Sequence, residues 1–333
     1  MASATKLTMA SSRTRTGIGL ALKLAVMIGC FWYISRYVVV SDLLRLASSA
    51  DLRWLGLSVL IIMVQIPLLG LRWAKIVDSL SIDGKQTSRR SLLAVTAIGA
   101  FFGQVAPSVV GDSIRILMLK QLGRSWRECI ISVVIDRGVG LGMLIMIAFC
   151  VFLFPSNWIV LGNHRGAILT VFGAALATSL LAILLAPIYA PIFARWSLTH
   201  WVSVLALESR KVLFGRPSGP FVIAIQIVIH SLTVITIWVL GYAEGFMFSA
   251  MDAVLLFTIM VGIAVIPITV GGWGIRELAV MILFQGNGIA PERALLFSAS
   301  FGVIVFLGSS VGAVVWLFYS PKLSDRSTLS HNE

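Results

Sequence analysis

Charge is what this sequence has least of. Of 333 residues only 14 are acidic and 26 are basic, whereas 58% are hydrophobic. Mean hydropathy is +0.97. A soluble domain of this length could not hide so much apolar surface, so lipid must be the solvent for much of the chain. Cysteine is equally sparse. Cys30, Cys129 and Cys150 fall in apolar stretches with no CxxC spacing, which excludes a disulfide framework or a zinc site and leaves them as small hydrophobes. The four histidines are scattered. There is no nucleotide-binding loop, no acidic metal cluster and no nucleophile–histidine pairing, so the expectation is a protein without a cofactor or metal and not an enzyme. The net charge of +12 is not arranged as a basic stripe interleaved with aromatics, and nucleic-acid binding is excluded on that ground.

Long apolar runs are what is present, several of them reaching the roughly 18–20 residues that cross a bilayer. Spans are expected at 17–35, 53–71, 128–154, 166–187, 220–241 and 294–319. Residues 1–16 and 321–333 read as polar tails, and 36–52 and 188–218 as interfacial. A polar loop is expected at 72–90. The single membrane domain, 17–320, divides into halves of about 17–154 and 166–319. His230 falls in the fifth span, where a packed, hydrogen-bonded imidazole outweighs a proton relay.

Two further apolar regions are interrupted. Residues 91–106 stop at Pro107, and the following piece, 113–119, is shorter still. The region 251–290 is broken around Pro267 and Gly271-Gly272-Trp273-Gly274. Proline and glycine interrupt helices, and pieces this short suggest re-entrant hairpins. Of the 26 lysines and arginines, 18 fall on one side of this topology and five on the other; Lys23, Arg137 and Arg276 fall at membrane depth. The bias puts both termini in the cytoplasm of a multi-pass protein of the cell (inner) membrane. The hairpins then enter from opposite faces, and the second half is the first turned over. The expected fold is an all-α polytopic membrane protein of about six full spans, two re-entrant hairpins and an inverted repeat.

Six charged residues lie in or beside apolar segments: Asp112, Arg115, Asp136, Arg137, Arg276 and Glu277. A charge at the bilayer centre costs about 2.5–3.5 kcal/mol even on the lenient insertion scale, so each faces a cavity or a partner. Neighbours on a helix point about 100° apart, so Asp136 and Arg137 need partners on other helices. Gly271, Gly272 and Gly274 precede a helix whose N-terminus could face an anion, with Arg276 in its first turn. Gly111 before Arg115 offers a similar nest. The alternative is that these glycines only permit close packing. The candidate substrate-binding set is Arg115, Arg137, Arg276, Gly111, Gly271, Gly272 and Gly274. Asp112, Asp136 and Glu277 form its charge network, and Arg115 and Arg276 are expected to approach one cavity.

Four pieces of sequence resemble the lysylphosphatidylglycerol synthase transmembrane family. They are Leu71-Arg72-Trp73, the stretch from Gln104-Val105-Ala106-Pro107 through Gly111-Asp112 to Arg115, the run Val134–Arg137, and Pro267 through Glu277. This is the flippase-like membrane domain of the multiple peptide resistance factor, which also occurs free-standing. The resemblance covers about residues 17–320. It implies a helical bundle with re-entrant segments that moves phospholipids between leaflets. No aminoacyl-transferase domain is expected, so the synthase activity is not implied. The expected partners are membrane lipids, an anionic phospholipid or a lipid-linked head group, with a homo-oligomer or a synthase as protein partner. The alternatives are a membrane-embedded transferase and an accessory subunit in lipid, hopanoid or polysaccharide synthesis.

Overall fold

The computed structural model describes residues 28–29, 32–37, 39–81, 87–154, 164–193, 197–265, 269 and 271–319. The tails 1–16 and 321–333, most of the expected span 17–35, and Pro267 lie outside them. No strand occurs among the described residues; 28–29 and 32–35 are helical, and thirteen further helices follow from Val40. These are α1 (Val40–Ser49), α2 (Leu52–Leu80), α3 (Arg89–Val105), α4 (Ser108–Gln121), α5 (Trp126–Leu153), α6 (His164–Leu184), α7 (Ala186–Phe193), α8 (Ser197–Phe214), α9 (Ser218–Ala243), α10 (Ala250–Val265), α11 (Ile275–Gln285), α12 (Pro291–Ser309) and α13 (Val311–Phe318).

Five stretches are long and apolar enough to cross a membrane: α2, α5, residues 166–184 of α6, α9, and the 28 residues from Pro291 to Phe318. These match five of the six expected spans. Local chemistry fixes their ends. The Asp51 carboxylate accepts the Arg53 N–H at 2.9 Å to cap α2. Ser125 and Glu128 form a reciprocal capping box at the start of α5. Pro291 sits in the first turn of α12, where its missing N–H is harmless. α3 stops because Pro107 forces Ala106 into extended geometry, φ −129° and ψ 174°.

One expected boundary is wrong. The loop placed at 72–90 begins only at Ser81, because α2 continues through Arg72, Lys75 and Asp78 to Leu80. Those charges suggested solvent, but Trp73, Ile76, Val77 and Leu80 keep a helical period and are buried. The interfacial region 188–218 contains two helices, and α8 packs against α2, α5 and α9 through Val204 and Val212. α6 is apolar all round and little buried by the rest of the chain.

α2 is the hub, packing on α9 most extensively and also on α3, α5 and α12. The rings of Phe246, Phe248, Phe284 and Phe297 stand 5.0–6.1 Å apart in the largest core cluster. Lipid is as apolar as these rings, so it is dispersion and fit that favour this contact within the membrane. α3 and α4 fold back on each other across the break at Ala106–Pro107. Their crossing is backbone against backbone. A methyl group at Gly111 would strike the Gly99 carbonyl and stand 2.9 Å from the Gly103 nitrogen. α10 and α11 also pack together.

Candidate functional site

Three helices bring charge together. α2 supplies Arg72, α4 supplies Asp112 and Arg115 one turn apart, and α5 supplies Asp136 and Arg137. The Asp136 carboxylate is buried and held by two guanidiniums. Arg72 donates to Oδ1 through Nε at 2.9 Å and approaches it through Nη2 at 2.8 Å. Arg115 donates to Oδ2 through Nη2 at 2.8 Å. Both arginines are themselves buried. The Arg115 guanidinium lies over the Trp73 ring, 4.4 Å from its centre, and the Trp73 indole N–H donates to Ser132 at 3.3 Å. This stacking fixes the plane of the fork.

The second carboxylate is more open. Asp112 receives a fork from Arg137, with Nε 2.9 and 3.1 Å from its two oxygens and Nη2 2.9 Å from one. Arg115 Nη1 stands 3.6 Å away. The Arg137 side chain is 57% exposed and that of Asp112 20%. Arg137 is eleven residues into the 28-residue α5, about 16 Å along the axis and near the middle of that span. The chain Arg72–Asp136–Arg115–Asp112–Arg137 thus runs from a sealed interior to an open face near the middle of α5. Three cations against two anions leave it one positive charge in excess.

The second broken segment is built differently. Gly271, Gly272 and Gly274 have φ of +60°, +79° and +88°, a region that side chains disfavour. The turn delivers the Gly274 N–H to Glu277 Oε2 at 2.6 Å. Arg276 donates to Glu277 Oε1 from Nε at 3.0 Å and Nη2 at 2.5 Å. Ser298 accepts from Arg276 at 3.2 Å and donates to Glu277 at 3.1 Å. Arg276 also lies over the Trp273 ring at 4.9 Å. The side chains of Arg276 and Glu277 are 4% and 0% exposed. The start of α11 does bind an anion, as its geometry suggested, and that anion is the chain's own carboxylate.

The structure therefore joins Arg115, Arg137, Asp112 and Asp136, and keeps Arg276 and Glu277 as a separate pair. Among the described residues Arg115 and Arg276 share no hydrogen-bond or ion-pair partner. Their breaks do meet in backbone: a methyl group at Gly271 would stand 3.9 Å from the Gln104 carbonyl oxygen at the end of α3. Gly111 lies inside α4 and not before it, because the helix starts at Ser108, directly after Pro107. Its N–H is thus part of a helix, and its lack of a side chain admits α3. Arg72, placed in the expected loop 72–90, lies within α2 and is buried, as Arg115 is within α4. Sequence reasoning missed Arg72 and Trp73 as site residues, and also Ser298. Leu71-Arg72-Trp73 stood out as a motif, and the helical period running on to Leu80 was the signal that Arg72 belongs to a helix.

Residues 20–312 match the family described as "Lysylphosphatidylglycerol synthase TM region". No curated protein matches the chain, and no solved structure does.

Proposed function

The chain belongs to the lysylphosphatidylglycerol synthase transmembrane-region family, and from that premise we propose that it moves an anionic phospholipid or lipid-linked head group between membrane leaflets. The observation that carries this reading is the half-exposed Arg137–Asp112 pair at mid-membrane depth, backed by buried Arg115 and Arg72. A charge pair open to hydrocarbon is costly, so this face borders a hydrophilic path. The excess positive charge of the cluster is balanced by one phosphodiester. The head group displaces Asp112 from the Arg137 fork, and Arg115, already close to Asp112, follows.

In this proposal α3–α4 and α10–α11 are re-entrant hairpins. α3 and α4, of 17 and 14 residues, are about 25 and 21 Å long, and α10 and α11, of 16 and 11, about 24 and 17 Å, each shorter than the hydrocarbon layer. They enter from opposite faces of an inner membrane with both termini cytoplasmic, as an inverted repeat would have them. Each repeat carries an arginine stacked on a tryptophan beside a carboxylate: Arg115 on Trp73, and Arg276 on Trp273. In the first repeat that unit is the exchangeable site. In the second, Glu277 fills the place a phosphate would take, and the unit holds the hairpin tip against Gln104. The cycle needs no nucleotide; a gradient or lipid mass action drives it.

The test is leaflet-resolved movement of a labelled phosphatidylglycerol in proteoliposomes, read by quenching from outside. Arg137→Ala and Arg115→Lys are expected to slow movement by about tenfold or more, the loss of one fork contact at the head group. If Arg137→Ala moves lipid as fast as the wild type, the site is misassigned. A chemically altered lipid appearing in the vesicles would instead favour a transferase.

A further inference from the structure

The seam between α2 and α9 is the most extensive helix contact among the described residues, and beside its apolar residues it carries a polar stripe. α2 places Ser58, Gln65 and Arg72 seven residues apart, hence on one stripe. α9 brings Gln226, His230 and Thr233. All six are buried. Thr233 donates to Gln65 Oε1 at 3.0 Å. His230 Nε2 lies 2.7 Å from the Gln226 amide and 3.3 Å from the Gly140 carbonyl oxygen on α5. A methyl group at Gly140 would stand 3.9 Å from that amide and 4.0 Å from Arg72 Nη1, so the Gln226–His230 pair adjoins the charged cluster.

On this seam three buried polar atoms have no hydrogen-bond partner, Ser58 Oγ, Gln65 Nε2 and Gln226 Oε1, and in the adjoining cluster Arg115 Nε has none either. A buried polar atom left unpaired costs about 1–3 kcal/mol. On α2 the stripe from Ser58 through Gln65 to Arg72 covers 14 residues, about 21 Å of helix, and Gln226 adjoins its Arg72 end. Buried water, which makes about three hydrogen bonds, satisfies such groups. The chemistry facing His230 is mixed. α2 supplies the Arg72 cation, and α5 supplies the Gly140 carbonyl and, beyond Arg72, the Asp136 carboxylate. α10 lays the Phe257 ring edge-on at 5.0 Å, and α9 itself adds Gln226.

We infer that the α2–α9 seam holds a file of water that conducts protons between the Ser58 end and the Arg72–Asp136–Arg115 cluster, with His230 as the proton-accepting group on the file. The imidazole takes a proton from water on one side and returns it to water on the other, with no net chemistry. Conduction stands apart from lipid movement, although a proton path ending at the head-group cluster would supply the gradient that the proposed translocation uses.

The experiment uses the full chain in phosphatidylethanolamine–phosphatidylglycerol vesicles with a trapped pH dye and an imposed potassium diffusion potential. Wild type is expected to acidify the lumen about tenfold faster than empty vesicles, as a relay through the bilayer would. Gln65→Leu dries the file, and His230→Gln keeps it polar but cannot titrate. Both are expected to fall to the empty-vesicle rate while their melting temperatures stay within a few degrees of wild type. His230→Gln decides the matter alone if Gln65→Leu does not reconstitute. Wild-type flux no faster than empty vesicles, or wild-type flux in His230→Gln, overturns the proposal. Lipid movement is scored in separate vesicles without the dye, so failure of either activity is read independently.

Discussion

The two charged clusters use the same parts to opposite ends. In each, a guanidinium is stacked on a tryptophan and hydrogen-bonded to a buried carboxylate. Around Asp136 and Asp112 there are three arginines for two acids, drawn from three helices, and one edge is open. Around Glu277 there is one arginine for one acid, adjacent in sequence, sealed, and doubling as the cap of α11. A closed pair with its remaining lone pairs satisfied by Gly274 and Ser298 has nothing left to offer a ligand. An open chain with surplus positive charge does. The difference lies in stoichiometry and exposure, because the residue types are the same.

That contrast can be broken by experiment. The largest effect is expected from Asp136→Asn, which strands two buried guanidiniums at once. Removing the partner of a buried charge costs about 3–5 kcal/mol, and two charges place this variant at the top of that range. Thermal unfolding in detergent should show a large drop or loss of folded protein. Glu277→Gln strands one guanidinium and weakens the α11 cap, at about 3 kcal/mol. If it unfolds the protein more than Asp136→Asn does, the second cluster and not the first is the structural keystone.

Gly111→Ala is expected to cost about 1–3 kcal/mol by overpacking the α3–α4 crossing. It should lower the melting temperature without touching any charge pair. Arg137→Ala should cost less than about 1 kcal/mol, because its ion pair is more than half exposed on the arginine side. The same change is expected to cost lipid movement heavily, and that separation of stability from function is the sharpest signature of an open site.

A last prediction concerns pH at the end of α9 in the second half. Burial pushes the Glu244 carboxyl up from 4.5 to about 7, against opposing pulls from Ser300 and Arg293. The folded state then holds a proton that the unfolded chain releases above its ordinary value. The stability from this group is full below about pH 4.5 and is lost as pH rises through about 7. Glu244→Gln should flatten that slope, seen in melting temperatures measured from pH 4.5 to 8. An unchanged slope would place the titration elsewhere.

Much of this organisation is legible in the chain. The apolar runs at 128–154, 166–187 and 220–241 correspond closely to α5, α6 and α9, because crossing a bilayer demands length and apolarity that few other structures need. Pro107 marks the end of α3, since proline removes a donor and restricts its predecessor. The need of Asp136 and Arg137 for partners on other helices follows from helical geometry, and Arg72, Arg115 and Asp112 meet it. The reach of α2 was legible only in the apolar period of Trp73, Ile76, Val77 and Leu80. Arg72, Lys75 and Asp78 look like loop residues to a reading of polarity, and the burial of Trp73, Ile76 and Leu80 decides for the period.

The sequence by itself determined that lipid surrounds this protein, that its elements are helices, where they break, and that a handful of charges must find partners. Those follow from local rules of hydropathy, period and backbone restriction. Only the tertiary structure decided which partner each charge takes. A helical period fixes the face a side chain points to but not what stands opposite. Arg276 therefore closes on the residue beside it, while Arg115 reaches across to Asp136 and leaves Arg137 at the open edge.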